Sequence, residues 1–426
     1  MLNTIVSLLK NAGVYGWEVS DIKTQGWEFY FIRHELDQNR AKDVEHIRIK
    51  VYQQIEDGKF VGSASAELPP TATEAEAKKL IDDLAYRATL VKNRAFTLTP
   101  PRAAEPMSEP VDLAAIAGEF LAAMHSLPET EGEDINSYEI FVSQKIRRFI
   151  TSTGIDLEER YPDSMIEVVV NARRDGHEIE LYRNFTSGSC DAEGLQKELG
   201  KAMAYGRDRL RTRPTPNLGK ADVLFSGADA CSLYEYFADR CSADMIYRRM
   251  SDWQVGKPIA EDIRGDKVTV EALRRLPNSS RNRGFDPEGA PITDTVILRD
   301  SVPARILGSR MFSCYMGLED SFLPSNIQVS GGSRSEEELR RGQYLEVVEF
   351  SDFQVDSMTG DIFGEIRLAY WHDGETVTPV SGGSLSGSML DFVQELYMSR
   401  EQAQYDSMRI PALTLLKGVT VTGAEG

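Results

Sequence analysis

The sequence predicts an α+β protein: duplicated N-terminal strand-hairpin-helix units, followed by a β-rich C-terminal domain of barrel- or sandwich-like type. Three observations carry this expectation. A strand pair closed by Asp-Gly and followed by a long amphipathic helix occurs twice, about 120 residues apart. From Lys267 onward, short apolar runs alternate with Gly, Pro, Asn and Asp, the punctuation of a β domain that hides its edges. At 426 residues, with 41% hydrophobic and 27% charged side chains, the chain is of soluble type and too long for one core.

The elements follow in order. Residues 1–10 form a short amphipathic helix without the basic start or cleavage site of a signal peptide. Residues 44–52 alternate, Ile47, Ile49 and Val51 against Arg48 and Lys50, which predicts a half-buried strand. Asp57-Gly58 turns the chain into a small-residue return strand over 60–68. Thr73 and Glu76 have capping-box spacing, opening a helix whose stripe is Ala77, Leu80, Ile81, Leu84, Ala88 and Val91. A Pro-rich connector (99–110) leads to a helix over 113–124 and a strand over 138–150. The second copy then runs through 165–173, Asp175-Gly176 and 177–185. Asp191 caps its helix, with Leu195, Leu199, Ala202, Met203 and Leu210 on one side.

Arg213-Pro214-Thr215-Pro216-Asn217 is the best boundary, which divides the chain into 1–98, a connector-plus-helix at 99–137, 138–212 and 213–426. The last segment is expected to hold a strand at 223–225, one helix over 228–249, strands at 268–270, 295–298, 327–329, 344–350, 364–370 and 413–421, and a helix over 388–398.

The net charge of −19 argues against a nucleic-acid surface, which needs a concentrated basic patch. Arg147-Arg148, Arg340-Arg341 and the Arg207–Arg213 cluster read as solvated faces. No apolar run is long enough for a membrane helix. Four sparse cysteines fit a reducing compartment, so the expected location is cytoplasmic.

Chemistry is scarce. His34-Glu35 and His177-Glu178 begin like H-E-x-x-H, but Gln38 and Leu181 stand at the second histidine's place. Around Ser384 the G-x-S-x-G pattern fails, because Leu385 occupies its centre. No phosphate-binding glycine loop is present, and no catalytic residue or metal ligand set is assigned. The best paired carboxylates are Asp286 and Glu288, in a Gly/Pro-framed loop. Two apart in an extended segment, they point the same way. Gly331 and Gly332, between Ser330 and Ser333, could offer backbone N–H groups to an anion or a peptide carbonyl.

Several segments together resemble the TldD/PmbA (TldE) family, named for a proposed modulation of DNA gyrase. Ile246-Tyr247-Arg248-Arg249-Met250-Ser251 looks like its Y-R-K-x-S segment, and Phe285-Asp286-Pro287-Glu288-Gly289 resembles its F-D-x-E-G loop. Pro324-Ser325-Asn326 with Gly331-Gly332 is similar to its P-x-N…G stretch. Thr359-Gly360-Asp361-Ile362-Phe363 is similar to its T-G-D-F turn. Pro411-Ala412-Leu413 with 418–423 looks like its closing strand pair. Leu318-Glu319-Asp320-Ser321 departs from the family's S-T-G-N-A type stretch.

The resemblance implies that TldD-type subunits carry zinc on H-E-x-x-x-H and a later Cys, while TldE/PmbA-like partners lack the metal set and complete a heterodimeric peptidase. Here the corresponding segment reads Cys231-Ser232-Leu233-Tyr234-Glu235-Tyr236-Phe237-Ala238-Asp239, with Glu235 at the base position in one register and no His. Residues 399–411 hold no Cys. The implied chain is a TldE/PmbA-like subunit, inactive alone, without a cofactor of its own, zinc being expected only in a TldD-like paralogue, and with Asp286, Glu288, Asn326, Gly331 and Gly332 as its candidate peptide-lining residues. The alternative is a stand-alone homodimer that binds peptides or proteins without cutting them. No nucleic acid or membrane partner is expected.

Overall fold

The computed structural model describes residues 1–108 and 110–424. Its N-terminal part is one seven-stranded antiparallel sheet built from two like halves. The first comprises α1 (Leu2–Lys10), β1 (Gly16–Ile32), β2 (Glu35–Ile55), β3 (Phe60–Leu68), α2 (Glu74–Ala88) and the short β4 (Asn93–Arg94). The second comprises α3 (Leu113–His125), β5 (Glu133–Thr151), β6 (Asp156–Arg174), β7 (His177–Ser187) and α4 (Ala192–Arg209). Strand order is β4-β3-β2-β1-β5-β6-β7, so the halves meet where β1 pairs antiparallel with β5. Each half is thus helix, three strands, helix.

The predicted capping box forms: Thr73 accepts from Glu76 N while Glu76 accepts from Thr73 N. Asp191 caps α4 as expected, accepting from Gly194 N. Helices α1 and α2 bury Ile5, Leu9, Ile81 and Leu84 against Trp17, Val19, Ile47 and Ile49. Helices α3 and α4 bury Phe120, Met124, Leu195 and Leu199 against Tyr138, Ile140, Ile166 and Val168. All the helices lie on one face of the sheet, and the other face is left for the rest of the chain.

The C-terminal part runs β8 (Arg213–Pro214), β9 (Gly219–Phe225), α5 (Cys231–Arg240), α6 (Ala243–Tyr247), β10 (Val270–Leu273), β11 (Thr295–Arg299), β12 (Val302–Pro303) and α7 (Arg310–Met316). It continues with β13 (Asn326–Val329), α8 (Glu336–Leu339), β14 (Tyr344–Val355), β15 (Asp361–His372), β16 (Val377–Ser381), β17 (Ser384–Ser388) and α9 (Met389–Phe392). It ends with β18 (Leu396–Met398), β19 (Gln402–Tyr405), β20 (Met408–Pro411) and β21 (Thr414–Thr422). Strands β14-β9-β21-β17-β15 close into a five-stranded barrel through the β14–β15 pairing. Closure leaves those five without a free edge. A second sheet, β12-β11-β10-β13-β20-β19, packs beside the barrel, and Val223, Phe237, Val270, Val329, Leu385 and Ile410 share its core. The α+β class and the β-rich C-terminal region agree with the expectation.

Three elements differ from it. The 228–249 helix is broken: α5 ends at Cys241, and Ser242 starts α6 by accepting from Met245 N. The 388–398 helix shrinks to α9, after which the chain extends into β18 on β21. The β1–β2 hairpin reaches far beyond 44–52, because its distal half is polar on the exposed strand and shows no apolar alternation to read.

Gly62 on β3 lies directly under the end of α2. A Cβ there would stand 1.9 Å from Ala88 O and 2.2 Å from Val91 O. Gly62→Ala should therefore cost about 1–3 kcal/mol through forced backbone displacement. A lower urea midpoint at unchanged m checks it.

Candidate functional site

The loop around Asp286 is built as a closed turn. An isolated bridge joins Phe285 to Pro291, and Asp286 N donates to Ala290 O at 2.8 Å. The Asp286 carboxylate is buried and accepts three backbone N–H groups: Glu288 N at 2.8 Å and Ala290 N at 2.9 Å on Oδ1, and Leu323 N at 2.9 Å on Oδ2. Burial raises its pKa to about 6, against the opposing pull of the Leu323 and Ala290 N–H groups. Gly289 sits at φ +82°, and a Cβ there would meet Phe149 Cε1 at 2.9 Å and Ile155 Cδ1 at 3.0 Å. Glycine is required on both counts.

The loop is clamped to the helix-free face of the N-terminal sheet. Arg147 Nη2 donates to Asp286 O at 2.8 Å, with its guanidinium 4.5 Å from the centre of the Phe285 ring. Gly284 N donates to Glu159 Oε2 at 3.0 Å, and Arg283 lies 3.2 Å over the Tyr161 ring. Arg147 and Glu159 are 7% and 1% exposed. The solvated-face expectation for Arg147-Arg148 is corrected here: adjacent strand residues face opposite ways, so Arg147 is buried while Arg148 pairs outside with Asp156.

Glu288 does something different from Asp286. Its Oε2 accepts from Arg310 N at 2.6 Å, where α7 begins. It also borders a cleft of about 180 Å³ between the two halves of the molecule, whose other polar walls include Glu18, Lys50, Tyr52, Ser309 and Arg310. Tyr52 Oη donates to Glu18 Oε1 at 2.7 Å, and Lys50 Nζ is 3.9 Å from Glu18 Oε2. Burial above all raises the Glu18 pKa; Lys50 opposes the shift, and the charges of Glu288 and Asp286 add to it. Sequence reasoning missed Glu18, Lys50 and Tyr52. Alternation marked their strands, but nothing local says that a domain more than 200 residues away covers them.

The remaining candidates hold the scaffold together. Asn326 is fully buried, its Nδ2 donating to Leu273 O and Arg274 O at 3.3 Å and its Oδ1 accepting from Ser279 Oγ at 2.6 Å. Gly331 and Gly332 let β13 pass close to 398–400: added Cβ atoms would stand 2.7 Å from Arg400 O and 2.2 Å from Met398 O. Glu288 faces the cleft, and these three lie elsewhere. Thr359-Gly360-Asp361 forms the β14–β15 turn, with Asp356 accepting from Met358 N and Thr359 N.

A closed barrel beside a second sheet, docked on a duplicated α+β half, is the architecture to which the comparisons apply. Residues 218–423 match the model of the PmbA/TldA metallopeptidase C-terminal domain. A protein named Metalloprotease from Methanothermobacter thermautotrophicus is 24% identical over 305 residues, 65% of this chain and 65% of that protein. The Metalloprotease TldD homolog of Buchnera aphidicola is 22% identical over 222 residues, 48% of this chain and 43% of the homolog. This chain thus matches less than two thirds of either relative's length. Among solved structures, TldE from Thermococcus kodakarensis superposes at a TM-score of 0.78 with 15% identity, covering 99% of this chain and 100% of that one. A Thermotoga maritima protein with a DNA gyrase modulator name superposes at 0.74 with 20% identity, covering 99% of each. Both share the fold. The family model over residues 218–423, the names of the relatives and the shared fold together support the TldD/PmbA family.

The family's metallopeptidase name implies a metal, and the residues present do not fit one. A catalytic zinc needs about three protein donors, and among the described residues no group of three or more His, Cys, Asp and Glu is placed to hold an ion. On α5, burial pushes the Cys231 thiol up to about 12, so it stays protonated at neutral pH. Glu235 lies on that helix's exposed side.

Asp286→Asn would turn an NH2 toward a backbone donor, at a cost of about 1–3 kcal/mol. The folded pKa of Asp286 is raised, so its proton-linked contribution is complete below pH 3.8 and is lost as pH rises through about 6. The variant should be less stable overall and should lack that slope. Urea melts from pH 3.5 to 7 read both.

Proposed function

We propose that this chain is the non-catalytic, TldE-like subunit of a two-component zinc metallopeptidase that processes small or unfolded peptides, with the zinc held by a TldD-like paralogue. The observation that carries the reading is the donor set: the α5 segment and the β19–β20 region supply no His pair and no thiolate, so no zinc ligand set is available there. Strand β19 has a neighbour on one side only, an edge where backbone hydrogen bonds could hold an extended peptide with little regard to sequence. Of the five candidate lining residues, Glu288 is the one this reading keeps, as part of the wall between the halves. The four cysteines are unpaired, which suits the cytoplasmic location the reading assumes. No described helix is long and apolar enough to cross a membrane.

The test is zinc content and cleavage of an unfolded peptide by the purified chain, alone and mixed with a paralogue bearing H-E-x-x-x-H. The expected result is no zinc and no cleavage alone, with activity in the mixture above that of the paralogue by itself. Metal-dependent cleavage by the isolated chain overturns the reading. An inert mixture whose chains never associate overturns it in favour of a homodimeric binding module.

A further inference from the structure

The N-terminal sheet has an internal two-fold axis, and it relates two docking places of which one is covered. The axis passes between Gln25 and Gln144, which pair across β1 and β5 and whose side-chain amides are hydrogen-bonded at 3.3 Å. Moving outward from it, the halves correspond position by position. The cross-strand pair Arg147 and Glu159 in the second half has the same sequence separation as the cross-strand pair Glu28 and Arg40 in the first. Each arginine lies over the ring two residues beyond the inner-strand partner: Arg147 is 5.5 Å from Phe149, and Arg40 is 5.3 Å from Tyr30. The constellation of cation, carboxylate and aromatic ring is the same, with the signs exchanged between the strands.

The covered place is the one already described, where loop 283–289 closes over Arg147 and Glu159. At its counterpart the Arg40 and Lys42 side chains are 60% and 45% exposed, stretched over a Glu28 that is 9% exposed. Strand β3 pairs with β2 only from Ile47 onward, so the outer edge of residues 35–46 has no strand beside it. Val44, on the same face as Arg40 and Lys42, is also exposed. Arg48 continues the row, giving a line of cations on a chain whose net charge is −19.

One chain has two related docking places and a single C-terminal domain to fill them. We propose that the open place receives the C-terminal domain of the partner subunit, which seats an acidic, carbonyl-presenting loop on Arg40, Lys42 and Tyr30 as this chain seats 283–289 on Arg147 and Phe149. The proposal rests on the two-component reading for the identity of that partner. The cation row selects an acidic surface and repels a basic one, which sets orientation and speeds encounter.

The experiment is co-expression with the H-E-x-x-x-H paralogue and measurement of the dissociation constant by analytical ultracentrifugation. The double variant Arg40→Glu/Lys42→Glu should weaken the complex on the order of ten-fold or more, as for reversed interface charges, and should flatten its salt dependence. Arg174→Glu, an exposed cation at the opposite hairpin, should leave it unchanged. The thermal melt should stay at the wild-type value. Should it fall, Arg40→Gln/Lys42→Gln, which keeps the aliphatic stems, must still weaken binding. Wild-type affinity in both double variants overturns the docking place and leaves the two-component reading standing. Failure of the wild-type chain to bind the paralogue overturns that reading itself. Self-association of the chain alone, abolished by Arg40→Glu/Lys42→Glu, overturns the proposed occupant and puts a second copy there.

Discussion

The two halves of this protein are held in register by a charge pair buried where they meet. Taking an arginine and a glutamate out of water costs several kcal/mol per ion. The site shows both the cost and its compensation. Burial lowers the Arg147 pKa and raises that of Glu159. Against this, Arg147 gains two carbonyls and two aromatic rings, while Glu159 gains the Gly284 N–H and the nearby charge of Arg283. Glu159 Oε1 still lacks a hydrogen bond, with Arg147 at 3.6 Å and Arg283 at 3.9 Å. Such a pair adds little net stability, but any other seating of loop 283–289 would strand both charges. Its effect is therefore on register. The cleft around Glu18 and Glu288 exists because the halves can meet in one way.

The same loop explains how its two acids differ. An extended segment would aim Asp286 and Glu288 to one side. Gly289 at φ +82° and the Phe285–Pro291 bridge make the segment a turn instead. Asp286 then faces inward and terminates three N–H groups, and Glu288 faces the start of α7 and the cleft. A carboxylate whose acceptor positions are taken by backbone donors has little left for a ligand. The acid pair that stands out in the sequence is thus mainly an internal cap, with one arm reaching the domain boundary.

What the sequence made legible was local. Asp57-Gly58 and Asp175-Gly176, the Thr73–Glu76 box and the Asp191 cap each depend on neighbours within a few residues, and each is found where expected. What it hid was long-range. The barrel closes because β14 pairs with both β9 and β15, and β9 lies more than 100 residues upstream of either. Arg147 and Arg148 are indistinguishable by composition, and their fates separate only because the covering loop lies far along the chain. The distal part of β2 is polar where a strand would normally announce itself by alternation. It is held through β1, which pairs with β5 over nearly its whole length and buries Phe31 in the core under α3 and α4.

Duplication supplies the remaining logic. Two equivalent half-sheets joined along β1 and β5 would make a symmetric object, and the single C-terminal domain breaks that symmetry by seating on one of them. In the seated half the charges of Arg147 and Glu159 are buried. The unseated half keeps an unpaired edge over 35–46, which carries Glu35, Asp37, Arg40, Lys42, Asp43 and Glu45. Charge on an exposed edge hinders indiscriminate strand addition, so this edge is protected against like strands yet remains open to a surface of matching charge. The short edge at β19 has fewer charges and lies in the other sheet. The two edges are chemically distinct, one lined by charges and the other by Gln402, Ala403, Gln404 and Tyr405.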